Sequence, residues 1–314
     1  MKKNLYIILL SFIAIAVYAD NRQGIDFYKA GEPTIASRLF EKQLSSSPAE
    51  QAEALYYLGE IAFDENKTFE ALANYQKGWT TFPDYAYNKV GEGKVLLKTD
   101  KSTAQKAFDA AIKINKKDAS VYVAIAKAYS MNGMEAEAQA ALDNAKKYNA
   151  NDPAIYLYEG DLLISKDKPG DAAGRYEQAI HFDPACKEAY IKYANVYQGV
   201  TPTLSIEMLQ KVISNYPDYL PAYCHLGNIY SLQGNYPKAV AAYKTYMAGG
   251  LYSTDNLVHY ASALFFNKQY AESGKIISEG QAIDPDNFLL KRLAIYNDYE
   301  SKAYEKGLEE IETF

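Results

Sequence analysis

A short pattern returns about every 34 residues along nearly the whole chain. Its small residue recurs at Gly24, Gly59, Gly91, Ala126, Gly160, Ala194, Gly227 and Ala261. Four residues before most of these stands a large residue, at Leu55, Tyr87, Tyr122, Tyr156, Tyr190, Tyr223 and Leu257. Since residues four apart share one face of a helix, each pair places a bulky side chain beside a notch for another helix. A fixed period of this kind predicts a helical repeat array.

A second pair, again four residues apart, begins twelve residues beyond most notches. These pairs are Ala36 with Phe40, Ala71 with Tyr75, Ala104 with Phe108, Ala138 with Leu142, Ala172 with Tyr176, and Ala239 with Tyr243. Turn residues such as Gly133 and Gly234 separate the two helices, and prolines such as Pro83 and Pro217 close several second helices. Each unit is therefore predicted to be a helix hairpin. One hairpin cannot bury both of its faces, so the hairpins are expected to stack as a solenoid.

The stretches "YLGEIAFDENKTFEALANYQKGWTTFP", residues 57–83, and "LPAYCHLGNIYSLQGNYPKAVAAYKTY", residues 220–246, match a pattern of aromatic, Leu-Gly, Tyr, then Ala, aromatic, Ala and Pro. In this pattern the chain resembles the tetratricopeptide repeat family. The resemblance implies an all-α, right-handed α-α superhelix (solenoid) of about eight to nine hairpins, with first helices on the inner wall and second helices on the outer wall. The repeats are placed near residues 17–50, 51–84, 85–117, 118–152, 153–186, 187–219, 220–253 and 254–287, with a partial repeat at 288–314.

The first nineteen residues predict a secretory signal peptide. Lys2 and Lys3 precede an apolar run from Leu5 to Val17, and small Ala19 stands at the expected cleavage point. The alternative is an uncleaved membrane anchor, but the run is shorter than the roughly 20 residues that a spanning helix needs, which favours a cleaved signal peptide. We therefore expect a signal peptide at 1–19 and an exported repeat array at 20–314, periplasmic or secreted, without an integral membrane segment in the mature chain.

Composition excludes several classes of function. The formal charge is −6 and the isoelectric point is about 5.3, so the chain lacks the basic surface that nucleic acids require. Cys186 and Cys224 are expected to be isolated thiols. A metal site built from His225, His259 and Cys224 is disfavoured, because adjacent residues on one helix point about 100° apart. No catalytic motif is present, so we predict neither an enzyme nor a cofactor nor a metal.

The candidate ligand surface follows from the repeat geometry. If the notch residues face partner helices, the side chains one position further along point away from the packed seam. This reasoning selects Tyr56, Glu60, Asn88, Glu92, Lys127, Asp161, Asn195 and Asn228 as a peptide-binding groove. Amides can donate to and accept from a peptide backbone, and Tyr56 could supply an apolar anchor. The alternative is that these are ordinary solvated residues, and most tyrosines are expected to pack in the core.

The predicted function is a non-catalytic scaffold or adaptor in the cell envelope that binds segments of partner proteins in its concave groove. The alternatives are a homo-oligomeric structural scaffold, which sedimentation would distinguish, and an enzyme of unrecognised type. Alanine at both Asn195 and Asn228 is expected to weaken binding without changing stability. Gly160 is expected to tolerate alanine but not leucine.

Export gives the first testable prediction. N-terminal sequencing of the mature protein should begin near Asp20, because cleavage is expected after Ala19. Recovery of intact Met1 from a cytosolic fraction would contradict it.

Overall fold

The structure, a computed structural model, describes residues 21–313, so the predicted signal peptide at 1–19 lies outside the described residues. Residues 21–313 contain eighteen α-helices and no strand, and successive helices pair as hairpins. The predicted fold class, an all-α solenoid of helix hairpins, is confirmed. Within the same residues, no helix combines the length and the apolarity that crossing a membrane requires. The bounds of the individual repeats remain a prediction.

The chain divides into two compact units, of which the first extends to Tyr193. Its helices are α1 (residues 21–29), α2 (Pro33–Lys42), a 3-10 turn (Gln43–Ser45), α3 (Pro48–Asp64), α4 (Thr68–Thr81), α5 (Tyr87–Leu96), α6 (Lys101–Ile114), α7 (Ala119–Met131), α8 (Glu135–Tyr148), α9 (Pro153–Ser165), α10 (Pro169–Phe182) and the first part of α11 (Lys187–Tyr197). Odd-numbered helices are the first helices of the hairpins and even-numbered helices are the second.

The second unit begins at Ala194, within α11. Its further helices are α12 (Pro202–Asn215), α13 (Leu220–Leu232), α14 (Tyr236–Met247), α15 (Thr254–Phe266), α16 (Tyr270–Ile283), α17 (Phe288–Glu300) and α18 (Tyr304–Thr313).

Several first helices begin at a capping residue. Before α3, the Ser47 side chain accepts from the Glu50 backbone N–H while the Glu50 carboxylate accepts from the Ser47 N–H, forming a capping box. Asp118 and Asp152 cap α7 and α9 in the simpler way, with one side-chain acceptor each. Such caps satisfy backbone donors that have no partner inside the helix, so they fix where each first helix starts.

The two helices of a hairpin meet where an aromatic ring of the second helix lies against a glycine of the first. A Cβ atom added to the glycine would lie 2.4 to 2.8 Å from a ring carbon. The pairs are Gly24 with Phe40, Gly59 with Tyr75, Gly93 with Phe108, Gly160 with Tyr176, and Gly227 with Tyr243. All five rings are buried, so the absence of a side chain at the glycine is what lets each ring enter.

Alanine replaces the glycine where the second helix supplies a smaller side chain. Ala126 and Leu142 are buried in one core cluster, and Ala261 and Ile277 are buried in another. In both cases the second residue stands sixteen positions after the first, as it does for Gly160 and Tyr176. The notch residue is therefore smaller, Gly rather than Ala, where the side chain that packs against it is larger.

This contact corrects two expectations. Gly160 should not tolerate alanine, because its Cβ atom would lie 2.4 Å from Cε1 of the buried Tyr176 ring. In the third hairpin the notch that faces its own second helix is Gly93, not Gly91. Gly91 instead lies against Tyr75 of the preceding hairpin, so glycines on two sides of α5 receive two different rings.

The second prediction tests this size matching. Gly160→Ala should lower the free energy of unfolding by about 1 to 3 kcal/mol through overpacking. Combining it with Tyr176→Leu should cost less than the sum of the two single changes, because leucine is the partner that alanine has at Ala126. Thermal or urea unfolding of the four proteins gives the coupling. Strictly additive costs would show that the ring and the notch do not interact.

Candidate functional site

The residue after the notch has a structural partner wherever the ring is a tyrosine. The Tyr75 hydroxyl donates to Glu60 Oε1 at 2.6 Å, and the Tyr176 hydroxyl donates to Asp161 Oδ1 at 2.9 Å. In the second unit, the Tyr243 hydroxyl donates to Asn228 Oδ1 at 2.6 Å. Each ring packs over its notch glycine, and its hydroxyl hydrogen-bonds to the residue that follows the glycine on the first helix. Three predicted groove residues therefore serve as acceptors for nearly buried hydroxyls.

Hairpins without such a tyrosine lack this acceptor. Where the ring is Phe40, the residue after the notch is Ile25, and where it is Phe108 that residue is Lys94. Lys127 stands in the same position opposite Leu142. A phenylalanine or leucine has no hydroxyl to satisfy, so the position is open to other residue types.

The predicted placement of Asn88 and Glu92 on the groove wall is wrong. Asn88 is fully buried, and its Nδ2 donates to the carbonyl of Ala52 at 2.9 Å. Glu92 is also buried, and it accepts from Lys89 on its own helix and from Gln76 on α4. The cause is the choice of Gly91 as the notch, which shifts the register by two residues.

The two amides in the second unit differ from each other. Asn195 is exposed on α11 and has no hydrogen-bond partner among the described residues. Asn228 is half-buried and is held by the Tyr243 hydroxyl. Only Asn195 has the uncommitted side chain that the sequence analysis assumed for both.

A cavity of about 530 Å³ lies against the first helices of the first unit. Every one of these helices, α1, α3, α5, α7, α9 and α11, contributes to its wall. The lining side chains are Tyr28, Lys29, Glu53, Tyr56, Tyr57, Glu60, Asp64, Tyr85, Tyr87, Ser120, Val123, Ala124, Lys127, Met131, Ala154, Leu157 and Glu188. The structure thus brings together Tyr56, Glu60 and Lys127 of the predicted groove.

Tyrosine rings form one side of this cavity. Tyr56 is central, with ring centroids 5.1 Å from Tyr57, 6.0 Å from Tyr85 and 5.5 Å from Tyr87. Tyr28 continues the cluster at 5.5 Å from Tyr57. Burial, reinforced by Glu60, raises the pKa of Tyr56 well above its ordinary value, so this side chain is a neutral phenol. Neither Tyr56 nor Tyr57 has a hydrogen-bond partner for its hydroxyl among the described residues.

Ion pairs join the first and last helices around the cavity. Lys29 of α1 lies 3.5 Å from Glu188 of α11, and Lys187 of α11 pairs with Asp26 of α1. Burial opposes the ionisation of Glu188, but Lys29 and then Lys192 outweigh it and hold the pKa of Glu188 below its ordinary value. Burial likewise opposes the charge on Lys29, and Glu188 outweighs it, so the pKa of Lys29 is raised. These groups keep their charges and fix α11 beside α1.

Several cavity residues were missed by the sequence reasoning. Glu53, Tyr57 and Asp64 share one face of α3 with Tyr56 and Glu60, and their spacing of three or four residues would have indicated it. Tyr85 gave no such signal, because it lies in the turn before α5.

Among the side chains that the structure describes, no three or more histidine, cysteine or acidic groups are placed to hold a metal ion. Cys186 is a half-buried thiol and Cys224 is a buried one, as the sequence predicted.

The third prediction concerns Asn228. Asn228→Ala should destabilise the protein by about 1 to 3 kcal/mol, because it leaves the nearly buried Tyr243 hydroxyl without its acceptor. Adding Tyr243→Phe should recover part of this loss, which chemical denaturation can measure. Asn195→Ala is the matched control and should change stability by no more than about 0.5 kcal/mol. Equal effects of the two alanine substitutions would refute the structural role of Asn228.

Comparison with known proteins agrees with this architecture. Sequence models of the tetratricopeptide repeat match residues 21–85 and 208–241. The fold is similar to that of PilW, a widely conserved type IV pilus biogenesis factor, with a TM-score of 0.52 and 16% identity over 66% of this chain and 97% of that one. It is also similar to a chain of the APC/C hetero-tetramer Cut9-Hcn1, with a TM-score of 0.51 and 15% identity over 92% of this chain and 55% of that one. A search of curated protein sequences finds no match. The chain therefore carries tetratricopeptide repeats in both of its units.

Proposed function

We propose that this chain is an exported, non-catalytic adaptor that holds a segment of a partner protein against the first helices of its first unit. The observation that carries the proposal is the cavity of about 530 Å³, to which all six first helices of that unit contribute. Its size lies within the range of sites that enclose ligands of several hundred daltons, so it can receive a few residues of a peptide.

The chemistry of the wall suits a peptide. The wall has an apolar part on α7 and α9, formed by Val123, Ala124 and Leu157. The tyrosine cluster adds hydroxyl groups that can form hydrogen bonds. The hydroxyls of Tyr56 and Tyr57 can donate to or accept from backbone amides, since they are not used by the described residues. Rigid tyrosines give large contact area at low entropic cost, which favours recognition of a protein segment.

A non-catalytic role is supported by what the ionisable groups do. Glu60 is occupied by the Tyr75 hydroxyl and by Lys94 at 2.7 Å, and Glu188 is occupied by Lys29. Burial raises the pKa of Tyr56 and also that of Tyr57, which disfavours either phenol as a base or nucleophile at neutral pH.

The N-terminal sequence supports export. This part of the proposal rests on the three-part composition of residues 1–19, which lie outside the described residues. The partner is accordingly expected in the cell envelope.

The fourth prediction tests the cavity as the binding surface. A photo-crosslinking amino acid placed at Ala124, inside the cavity, should form an adduct with the partner in intact cells. The same amino acid at Lys113, which is exposed on the second helix α6, should not. Mass spectrometry then identifies the linked segment. A synthetic peptide of that segment should compete for the crosslink at Ala124.

Two outcomes would contradict the proposal. An adduct at Lys113 with none at Ala124 would place the partner on the second helices. A crosslink at Ala124 that excess synthetic peptide does not diminish would show that no specific segment occupies the cavity.

A further inference from the structure

We infer that the first-unit cavity receives a basic segment, with two lysine or arginine side chains held beside its tyrosine rings, one at the carboxylate of Glu53 and one at that of Asp64. This inference rests on the proposed function and names the chemistry of the segment that would be bound.

The carboxylates of the cavity are not equally neutralised. Glu60 lies 2.7 Å from Lys94, and Glu188 is flanked by Lys29 and Lys192. Glu53 and Asp64 have no ion-pair partner among the described residues. The groups that hydrogen-bond to these two carboxylates are neutral: Glu53 accepts from the Asn21 amide at 2.6 Å and interacts with the Tyr85 hydroxyl, and Asp64 accepts the Tyr28 hydroxyl at 3.0 Å. Lys29 and Lys94 lower the pKa of Glu53 and of Asp64 respectively through their charge, but among the described residues no cation lies in contact with either carboxylate.

The remaining cationic side chain on the wall does not supply the missing charge. Lys127 on α7 has no ion-pair partner among the described residues, and its field favours the ionised form of Glu188. Glu188 already has two lysines, so Lys127 leaves the imbalance at Glu53 and Asp64 in place.

The tyrosine cluster complements a cation as well. The face of a phenol ring carries negative potential, and a lysine or arginine within about 6 Å of its centroid is attracted to it. The cavity is lined by Tyr56 and Tyr57 on α3, by Tyr85 in the turn before α5, and by Tyr87 at the start of α5. The Tyr56 hydroxyl has no partner among the described residues, so the site also offers an acceptor to an ammonium or guanidinium group.

The chain contains a filled example of this arrangement. The Lys94 ammonium lies 4.2 Å from the Phe63 ring centroid and 5.7 Å from that of Tyr75 while it pairs with Glu60. Its side chain is only 6% exposed, so aromatic rings and one carboxylate are sufficient to hold a desolvated lysine. Glu53 and Asp64 have rings beside them but, among the described residues, no lysine in contact.

The pKa values of the two carboxylates show the electrostatic cost of their burial. Burial raises the pKa of Glu53, and the hydrogen bonds from Asn21 and Tyr85 together with the charge of Lys29 do not offset it. Burial also raises the pKa of Asp64, despite the hydrogen bond from Tyr28. A bound cation would favour the ionised form of both groups.

The spacing of the carboxylates defines the length of the segment. Glu53 and Asp64 are eleven residues apart on α3. At the rise of an α-helix this is about 16 Å, which an extended peptide covers in about five residues. A segment with two basic residues five positions apart can therefore reach both carboxylates.

The test uses an acetylated and amidated hexapeptide with lysine at both ends and four alanines between them. Its reference is the same peptide with both lysines ε-acetylated, which keeps their length and removes their charge. Calorimetry or NMR titration of the full mature chain should show that the lysine peptide binds about tenfold or more tightly than the acetylated one. The double variant Glu53→Gln, Asp64→Asn should reduce this preference to about threefold or less, and so should Tyr56→Leu.

The matched control is Glu279→Gln. Glu279 also accepts from a tyrosine hydroxyl, that of Tyr252, but it lies in the second unit and outside the cavity, so the preference should persist in full. Melting temperatures of all variants confirm that each is folded.

Three results would overturn the inference. Equal binding of the two peptides would refute the cationic preference and leave the proposed function intact, since the crosslink at Ala124 tests it separately. A preference that survives the double variant would refute the site. Absence of binding by the lysine peptide at millimolar concentration would refute the basic segment as the ligand.

Discussion

The contact of an aromatic ring with a bare glycine is the interaction on which most hairpins depend. Full burial of a large aromatic side chain contributes about 1.5 to 3 kcal/mol, and here the ring reaches that burial only because the opposite helix has no side chain at the notch. When the ring is a tyrosine, its hydroxyl lies beyond the packed interface of the two helices, beside the first helix, where it needs a hydrogen-bond acceptor. Glu60, Asp161 and Asn228 meet this need, so packing and hydrogen bonding are specified together.

This dependence decides which side chains remain for a ligand. The residue after the notch stands at the border between the packed seam and the open face of the first helix. Where the ring is a tyrosine, that residue accepts a hydrogen bond from the ring hydroxyl, as Glu60 does from Tyr75, and is no longer available to a ligand. The side chains one turn before it stay uncommitted, and in α3 these are Tyr56 and Tyr57, whose hydroxyls have no partner among the described residues. Under the proposed function, the side chains that would meet a ligand in the first unit therefore lie on the flanks of the notch.

Much of the fold could be predicted from the sequence because the notch rule is local. In most hairpins a Gly or Ala on the first helix is followed sixteen residues later by the large side chain that packs against it, so the pair locates both helices. All the expected second-helix pairs are buried. The rule failed where two glycines, Gly91 and Gly93, offered two registers, because each receives a different ring and only the structure shows which ring belongs to which hairpin. That ambiguity alone misplaced Asn88 and Glu92.

The candidate site was less predictable because its contacts are distant in sequence. The pairing of Asp26 with Lys187 joins helices 161 residues apart, and no local pattern indicates it. The position of Tyr85 in a turn is equally invisible to a helical period. By contrast, the face of α3 that carries Glu53, Tyr57 and Asp64 follows from helical spacing, so a reading of whole faces would have found it.

Unbalanced carboxylates in a cavity also connect the site to stability. Because burial raises the pKa of Glu53 in the folded chain, the folded state holds its proton more tightly than the unfolded state does. The contribution of Glu53 to stability therefore falls as pH rises from the unfolded pKa through the folded one, and at neutral pH its charge costs stability. At Glu53, Lys29 and the neighbouring hydrogen bonds do not cancel the effect of burial, so part of this cost remains in the free protein. A basic segment bound as proposed would reduce it, so the carboxylate that weakens the fold would also strengthen binding.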